Sequence, residues 1–260
     1  MVRLQLRAHR EAVGLGYLRG SPDPAIPYQP GYVNLREPMT VPRLLAGLRR
    51  HPRAALCFYG LPGTGKTQLA HHLADELGRE SASDLLSMWV GQTEKLIAEL
   101  FSEAEDRKDE VVILLDEADT FLRDRTLARA SWELSHTNEF LARMERFPGV
   151  FICTTNLVDT LDAAILRRFQ FRIEFLAMRW EQSIAAFRAV FGREPTPEER
   201  DQLRQLSGLV PADFANVARQ RQFLGDAAAG SAMALLNDEV QARRGAPAGR
   251  PMGFLGHRAA

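Results

Sequence analysis

The 260-residue sequence has no excess of charge of either sign, because 33 basic side chains are matched by 33 acidic ones. A neutral chain has no overall field to attract nucleic acid or anionic membranes, so any such binding must come from a local surface. Lysine is scarce, with only three such residues in the chain, and arginine therefore carries most of the positive charge.

The chain also lacks long hydrophobic runs and has few cysteines. No apolar segment approaches the ~20 residues that cross a bilayer, and the first 20 residues lack the apolar core of a secretory signal. Cys57 and Cys153 each lie in an apolar run, where reduced core thiols are expected rather than a disulfide. These absences predict a cytoplasmic protein without a transmembrane segment.

Composition and periodicity divide the chain into four parts. Residues 1–42 are a basic arm followed by a proline-rich connector, and residues 246–260 have the composition of a flexible tail. Residues 43–176 alternate short apolar runs with amphipathic segments, which predicts a large α/β domain with a mostly parallel sheet between helices. Residues 177–245 have helical spacing throughout, which predicts a small all-helical domain.

Strands are predicted where short apolar runs lack polar alternation, as expected for strands that are covered on both faces. The four runs are Ala55–Tyr59, Val111–Leu115, Val150–Thr154 and Phe171–Phe175.

A glycine-rich loop follows the first of these runs and precedes a helix-like segment. It matches the pattern G-x-x-x-x-G-K-[ST], in which backbone N–H groups and a helix N-terminus bind phosphates. Lys66 is expected to reach the β- and γ-phosphates, and Thr67 to offer its hydroxyl to Mg²⁺. The predicted nucleotide-binding residues of this loop are Gly60, Leu61, Pro62, Gly63, Thr64, Gly65, Lys66 and Thr67.

Two carboxylates follow the second run, at the edge where an open α/β sheet binds ligands. Asp116 is predicted to bind nucleotide-associated Mg²⁺ together with Thr67. Glu117 is expected to point the other way by strand periodicity, and to orient and deprotonate the attacking water. Two solvated acids at a strand end are the simpler interpretation, but the phosphate loop makes that interpretation weaker.

The third run ends in a polar residue, Asn156, which would reach a γ-phosphate or the attacking water if this strand lies beside the acidic one. Arg167 and Arg168 come eleven residues later. An arginine from a neighbouring subunit stabilises the charge that develops during phosphoryl transfer. Incidental surface salt bridges are the alternative interpretation for this pair.

Together these motifs resemble the AAA family of ATPases, in the branch that includes katanin, spastin and other protein-remodelling motors. The resemblance runs from about residue 45 to 225. GLPGTGKT is similar to the Walker A loop, ILLDEAD to Walker B, TTN to the sensor-1 strand end, LDAAILRRF to the arginine-finger segment, SASDLLSMWVGQTEKLIAELF to the pore-loop segment, and GLVPADFANVARQ to part of the helical lid.

The resemblance implies a ring, commonly a hexamer, with ATP between subunits. Arg167 and Arg168 would act on the neighbour's nucleotide, and Trp89 and Val90 would face a central pore. The local pattern alone favours packing of Trp89 against the core, and the resemblance favours the pore. The base of the nucleotide is expected to contact residues 32–35 and 211–213.

Three features differ from the family pattern. Met88 stands where the pore loop usually has a basic residue, and the segment before it is short enough to shorten the strand expected near residues 77–83. The lid lacks the phosphate-binding arginine that some AAA relatives have, which suits the branch named above. Arg219 is the substitute candidate.

The sequence thus predicts an enzyme, a Mg²⁺-dependent ATPase whose homo-oligomeric ring remodels, unfolds or disassembles protein substrates, with a chaperone-like action on a substrate or adaptor. One alternative is an ATPase that remodels nucleic-acid complexes, similar to a clamp loader or a transposition helper. Its motivation is the set of arginines near both ends, which are Arg3, Arg7, Arg10, Arg243, Arg244, Arg250 and Arg258. The other is a nucleotide-gated assembly module that threads nothing.

Overall fold

The structure is a computed structural model and describes residues 28–82, 101–119, 140–156, 163–225 and 231–245. Six strands in these residues form one sheet in the order β1-β6-β2-β5-β4-β3. β1 runs antiparallel to β6, and every other pairing is parallel. The strands are β1 (Asn34–Leu35), β2 (Ala54–Gly60), β3 (Glu80–Ala82), β4 (Val111–Leu115), β5 (Val150–Thr155) and β6 (Phe171–Leu176).

Helices connect the strands and follow the last of them. They are α1 (Val41–Arg50), α2 (Lys66–Glu76), α3 (Ala163–Leu166), α4 (Trp180–Phe191), α5 (Pro197–Gln205), α6 (Pro211–Leu224) and α7 (Ala232–Gly245). Residues 101–106 and 140–146 are also helical, and a 3₁₀ helix spans Pro30–Tyr32. None of the helices in these described parts has the length and apolarity to cross a bilayer.

Helices cover the central strands on both faces, which explains why the strands are continuously apolar. Alternate residues of a strand point to opposite faces, and those of β2 enter two different apolar clusters. Cys57 belongs to a cluster with Phe101 and Phe140, whereas Phe58 belongs to one with Leu69 of α2. All five residues of β4 and all six of β5 are buried. The sheet is therefore packed on both faces, and this packing fixes the positions of the residues that follow its strands.

The helices after β6 have an apolar core of their own. Phe187 of α4, Phe214 of α6 and Leu236 of α7 are fully buried in it. α5 begins with a capping box, in which Glu199 N–H donates to the Thr196 hydroxyl at 3.2 Å and Thr196 N–H donates to the Glu199 carboxylate at 2.8 Å. The helices after β6 therefore bury apolar side chains in this core.

The predicted fold class, a mostly parallel sheet between helices followed by a helical part, is confirmed. The four predicted strands are present, each at its predicted position or extended by one or two residues, and the strand expected near residues 77–83 is short, with only Glu80–Ala82. β1 was not predicted; it lies in the predicted connector and pairs with the end of β6. The division into four parts stays a prediction, and residues 246–260 lie outside the described residues.

Two phenylalanines of α6 test the helical core. Phe214 is 0% exposed and Phe223 is 89% exposed. We expect Phe214→Ala to lower the free energy of unfolding by about 3–5 kcal/mol, because it removes buried contacts and leaves a cavity. The matched control Phe223→Ala should change it by less than about 0.5 kcal/mol. Urea unfolding followed by circular dichroism measures both, and equal stabilities would contradict the packing described above.

Candidate functional site

The loop between β2 and α2 passes close to two other elements. Gly60 and Gly63 have φ of +134° and +79°, which residues with a Cβ rarely adopt. A Cβ at Gly60 would collide with the carbonyl oxygen of Phe175, and a Cβ at Gly63 would lie 2.7 Å from Cβ of Ala212. α2 begins at Lys66, directly after the loop, so the free N–H groups of its first turn lie at this edge of the sheet.

Lys66 lies inside this loop rather than in solvent, with only 6% of its surface exposed. Its ammonium group donates to the carbonyl oxygens of Gly60 at 2.9 Å and Leu61 at 2.8 Å, and to Oδ1 of Asn156 at 2.8 Å. Burial lowers the pKa of Lys66 to about 8, although the two aspartates that follow β4 act in the opposite direction. The loop thus holds a cation at the ends of β2 and β5.

The side chain of Thr67 reaches the end of β4. Its hydroxyl donates to Oδ1 of Asp116 at 2.8 Å. The same carboxylate oxygen accepts a hydrogen bond from the hydroxyl of Thr154 in β5. A hydroxyl and a carboxylate side by side are oxygen donors of the kind that Mg²⁺ prefers, so the residues present fit this ion.

The prediction that Glu117 points away from Asp116 by strand periodicity is wrong. β4 ends at Leu115, and the backbone of Glu117 is left-handed, with φ of +52°. Its N–H donates to the Thr154 hydroxyl at 3.1 Å. Because the chain has already left the strand, alternation no longer applies, and both carboxylates line the same cavity.

The end of β5 lies beside the end of β4, as the role of Asn156 requires. Leu115 and Cys153 are paired across the two strands, and Asn156 follows β5 directly. The backbone N–H of Asn156 donates to Oδ1 of Asp119 at 3.1 Å, while its side chain binds Lys66. Asn156 is therefore fixed through both its backbone and its side chain.

A cavity of about 480 Å³ joins these groups. Its polar wall contains Lys66, Thr67, Asp116, Glu117 and Asn156. A buried cation, a hydroxyl–carboxylate pair and a further carboxylate on one cavity form a site for a polyphosphate, a divalent cation and a water molecule.

Residues 56–176 match the family described as "ATPase family associated with various cellular activities (AAA)". The chain belongs to this AAA family.

Two relatives of this AAA chain show how far the sequence similarity extends. It is 31% identical over 193 residues to vacuolar protein sorting-associated protein 4B of Mus musculus, an alignment that covers 70% of this chain and 40% of that protein. It is 33% identical over 185 residues to spastin of Drosophila persimilis, covering 66% of this chain and 23% of that protein. The chain thus spans less than half the length of both relatives.

Two solved structures share the AAA fold. A chain in the HORMA:CdnC:Trip13 complex of E. coli MS115-1 superposes with a TM-score of 0.56 at 19% identity, covering 76% of each chain. The AAA domain of FIGL-1 in complex with ADP superposes with a TM-score of 0.52 at 23% identity, covering 80% of this chain and 77% of that one.

The two predicted arginine fingers of this AAA chain lie in different surroundings. Arg168 forms an ion pair with Glu145 at 3.2 Å. Arg167 is exposed, and among the described residues no ion pair is found for it. Neither arginine is among the residues that line the cavity of its own chain. Trp89 and Val90, the predicted pore residues, lie outside the described residues.

The predicted base-binding residues are partly in place. Tyr32, Val33, Pro211 and Ala212 line the cavity. Leu35 is instead part of the apolar core. Tyr28 and Gln29 also line the cavity. They were not predicted, because a proline-rich stretch has no pattern that singles them out.

The helical part of this AAA domain touches the phosphate loop directly. Ala212 N–H donates to the Gly63 carbonyl oxygen at 3.1 Å. Next to it, Asp213 accepts from Val210 N–H at 2.9 Å and from Arg243 of α7 at 2.7 Å. Burial raises the pKa of the Asp213 carboxyl, and these two partners counteract that effect. The start of α6 is thus anchored on one side by the loop and on the other by α7.

Arg219 also lies on α6 and lines the cavity, as the sequence analysis considered. Its guanidinium group donates to Oδ1 of Asn216 at 2.5 Å. Arg219 of the helical part thus lies at the cavity that also contains Lys66 and Thr67.

Gly63→Ala tests the contact between the loop and α6. We expect it to weaken the binding of a fluorescent ATP analogue at least about tenfold, since the new Cβ meets Ala212 and the positive φ is strained by about 1–3 kcal/mol. Gly47→Ala in α1 is the control, because nothing lies within 4 Å of its added Cβ. Fluorescence titration measures both affinities. Equal affinities would show that the close approach has no role in binding.

Proposed function

We propose that this chain binds ATP with Mg²⁺ and hydrolyses it to ADP and phosphate. The observation that carries the proposal is the convergence of Lys66, the Thr67–Asp116 pair, Glu117 and Asn156 on one cavity. These groups come from three different segments of the sequence, and the parallel sheet brings their ends to one edge.

The loop from Gly60 to Thr67 binds the triphosphate. Lys66 supplies positive charge to the β- and γ-phosphates, and the N-terminus of α2 adds the partial positive charge of its free N–H groups. Thr67 and Asp116 would hold Mg²⁺, which when bound neutralises charge on the phosphate oxygens. Burial of Lys66 supports this assignment, because phosphate charge would compensate for the loss of solvation.

Glu117 orients the attacking water and accepts its proton, and Asn156 positions that water against the γ-phosphate. The left-handed backbone at Glu117 supports its role. Unusual backbone conformations cost about 1–3 kcal/mol and persist where surrounding contacts stabilise them, often at active sites. At Glu117 the stabilising contact is the hydrogen bond from its backbone N–H to the hydroxyl of Thr154.

Glu117→Gln tests the assignment of the base. We expect hydrolysis to fall by about 100- to 10,000-fold, since an amide cannot accept the proton, whereas the affinity for ATP stays within a few-fold of the wild type. Phosphate release and binding of a fluorescent ATP analogue measure the two quantities.

Glu110→Gln is the matched control for this experiment. Glu110 precedes the same strand at the opposite edge of the sheet and forms an ion pair with Arg107. Its substitution should leave hydrolysis unchanged. Wild-type hydrolysis by Glu117→Gln would mean that another group is the base.

We further propose that the active unit is a ring, commonly a hexamer, in which Arg167 and Arg168 act on the nucleotide of the neighbouring subunit. The exposure of Arg167, and the position of both arginines away from their own cavity, support action in trans. An arginine supplied in this way stabilises the charge on the transferring phosphoryl group.

Mixing two inactive variants tests action in trans. Arg167→Ala subunits retain the base, and Glu117→Gln subunits retain the arginine. In a random equimolar ring, about a quarter of the interfaces then combine both intact groups, so we expect the mixture to hydrolyse ATP faster than either variant alone. Phosphate release measures the rates, and mass photometry of Glu117→Gln with Mg-ATP measures assembly.

The control for mixing replaces Glu117→Gln by the double variant Glu117→Gln/Arg167→Ala, which supplies neither group. This mixture should remain inactive. If the first mixture is no faster than the control, the arginine does not act across an interface.

We propose that hydrolysis is coupled to the remodelling of a protein substrate or of its adaptor, with Trp89 and Val90 facing the pore. The similarity to spastin and to a vacuolar protein sorting-associated protein supports this class of work. A cytoplasmic location agrees with the cysteines Cys57 and Cys153. They are neighbours across β2 and β5, and both are free thiols without a disulfide.

The nucleic-acid alternative loses part of its motivation. Arg243 binds Asp213 and the carbonyl oxygen of Gly208, and Arg244 binds Ser207. Both basic groups are thus engaged within the helical part.

A further inference from the structure

Two neighbouring threonines of β5 bind two different aspartates after β4. Successive strand residues point in opposite directions, and accordingly Thr154 donates to Asp116 whereas Thr155 donates to Oδ1 of Asp119 at 2.5 Å. Asp116 lines the cavity, but Asp119 is not among the lining residues. The Thr154–Asp116 pair is part of the proposed metal site, whereas the Thr155–Asp119 pair lies outside the lining of the cavity.

The Asp119 carboxylate holds the end of β5 in place at two points. One oxygen, Oδ1, accepts both the Thr155 hydroxyl and the backbone N–H of Asn156, the latter at 3.1 Å. Hydrogen bonds to a charged acceptor are stronger than those between neutral groups. The backbone direction after β5, from which the Asn156 side chain extends, is therefore set by Asp119.

The side chain of Asn156 is held by a further contact inside the cavity. Its Oδ1 accepts a hydrogen bond from Lys66 at 2.8 Å. Asp119 thus holds the backbone of Asn156, and Lys66 holds its side chain.

We propose that Asp119 is a positioning residue for hydrolysis, which sets the place of Asn156 relative to the γ-phosphate without touching the nucleotide. The inference rests on the proposed ATPase function. A displacement of a reacting or orienting group by about 1 Å lowers a rate by about 100-fold, so the position of Asn156 governs kcat more than ATP affinity.

Asp119→Ala removes the acceptor, and we expect it to lower kcat by about 10- to 100-fold with the KM for ATP within about threefold of the wild type. Asp119→Asn keeps an acceptor oxygen of the same size and should recover most of the rate. Thr155→Val removes one donor only and should lower kcat less than Asp119→Ala. Asp201→Ala, an exposed aspartate of α5, is the surface control.

A double-mutant cycle separates positioning from a general loss of structure. If Asp119 acts through Asn156, the variant Asp119→Ala/Asn156→Ala is no slower than Asn156→Ala alone, because the second change has nothing left to position. Effects that multiply would overturn the proposal. An Asp119→Ala protein with a lower melting temperature but an unchanged kcat would also overturn it.

The outcomes distinguish this inference from the proposed function. A wild-type protein that binds ATP but does not hydrolyse it contradicts both. A wild-type enzyme whose kcat survives Asp119→Ala contradicts the positioning role alone. If Asp119→Ala does not fold, Asp119→Asn and Thr155→Val still test the positioning role. The role requires kcat to decrease from the wild type to Asp119→Asn and further to Asn156→Ala. A kcat of Thr155→Val below that of Asn156→Ala overturns it.

Discussion

The parallel pairing of β4 with β5 fixes the relative positions of the polar groups at the site. Leu115 and Cys153 are paired, and β4 ends there, whereas β5 continues to Thr155. The hydrogen bonds of Thr154 and Thr155 to the aspartates after β4 continue the contact between the two segments beyond the end of β4. A slip of one residue in this register would exchange the two sheet faces and would separate the threonines from both aspartates. The buried apolar side chains of the two strands oppose such a slip, so the core of the sheet determines the geometry of its polar edge.

The backbone at Glu117 is the place where this geometry is strained. A left-handed conformation at a residue with a Cβ costs about 1–3 kcal/mol, and the structure meets that cost with the bond from the Glu117 N–H to Thr154. The turn brings Glu117 to the same cavity as Asp116 instead of to the opposite face of the sheet. Two consecutive residues thereby serve one cavity, which a regular strand does not allow.

The sequence predicted features that depend on local patterns. The strands around Cys57, Ile113 and Ile152 are continuous apolar runs, and the glycine-rich loop has a fixed spacing. β1 could not be predicted in this way, because two residues form a strand only through their pairing with β6, more than 100 residues away. Asp119 was one acid among three in ILLDEAD, and its partners at the end of β5 and directly after it lie 36 and 37 residues away. The roles of such residues depend on long-range contacts that have no local pattern.

The start of α6 belongs to two parts of the molecule at once. Ala212 is hydrogen-bonded to the phosphate loop, and the adjacent Asp213 is a buried carboxylate whose counter-charge, Arg243, comes from near the end of α7. Removing one member of such a pair leaves an uncompensated charge, which is costly. A shortened form of this chain that stops before Arg243 would therefore disturb the phosphate loop about 180 positions upstream, although most of α7 would still be present. The shortest fragment that keeps its nucleotide site intact is accordingly longer than the nucleotide-binding motifs alone would indicate, and it has to include the last turn of α7.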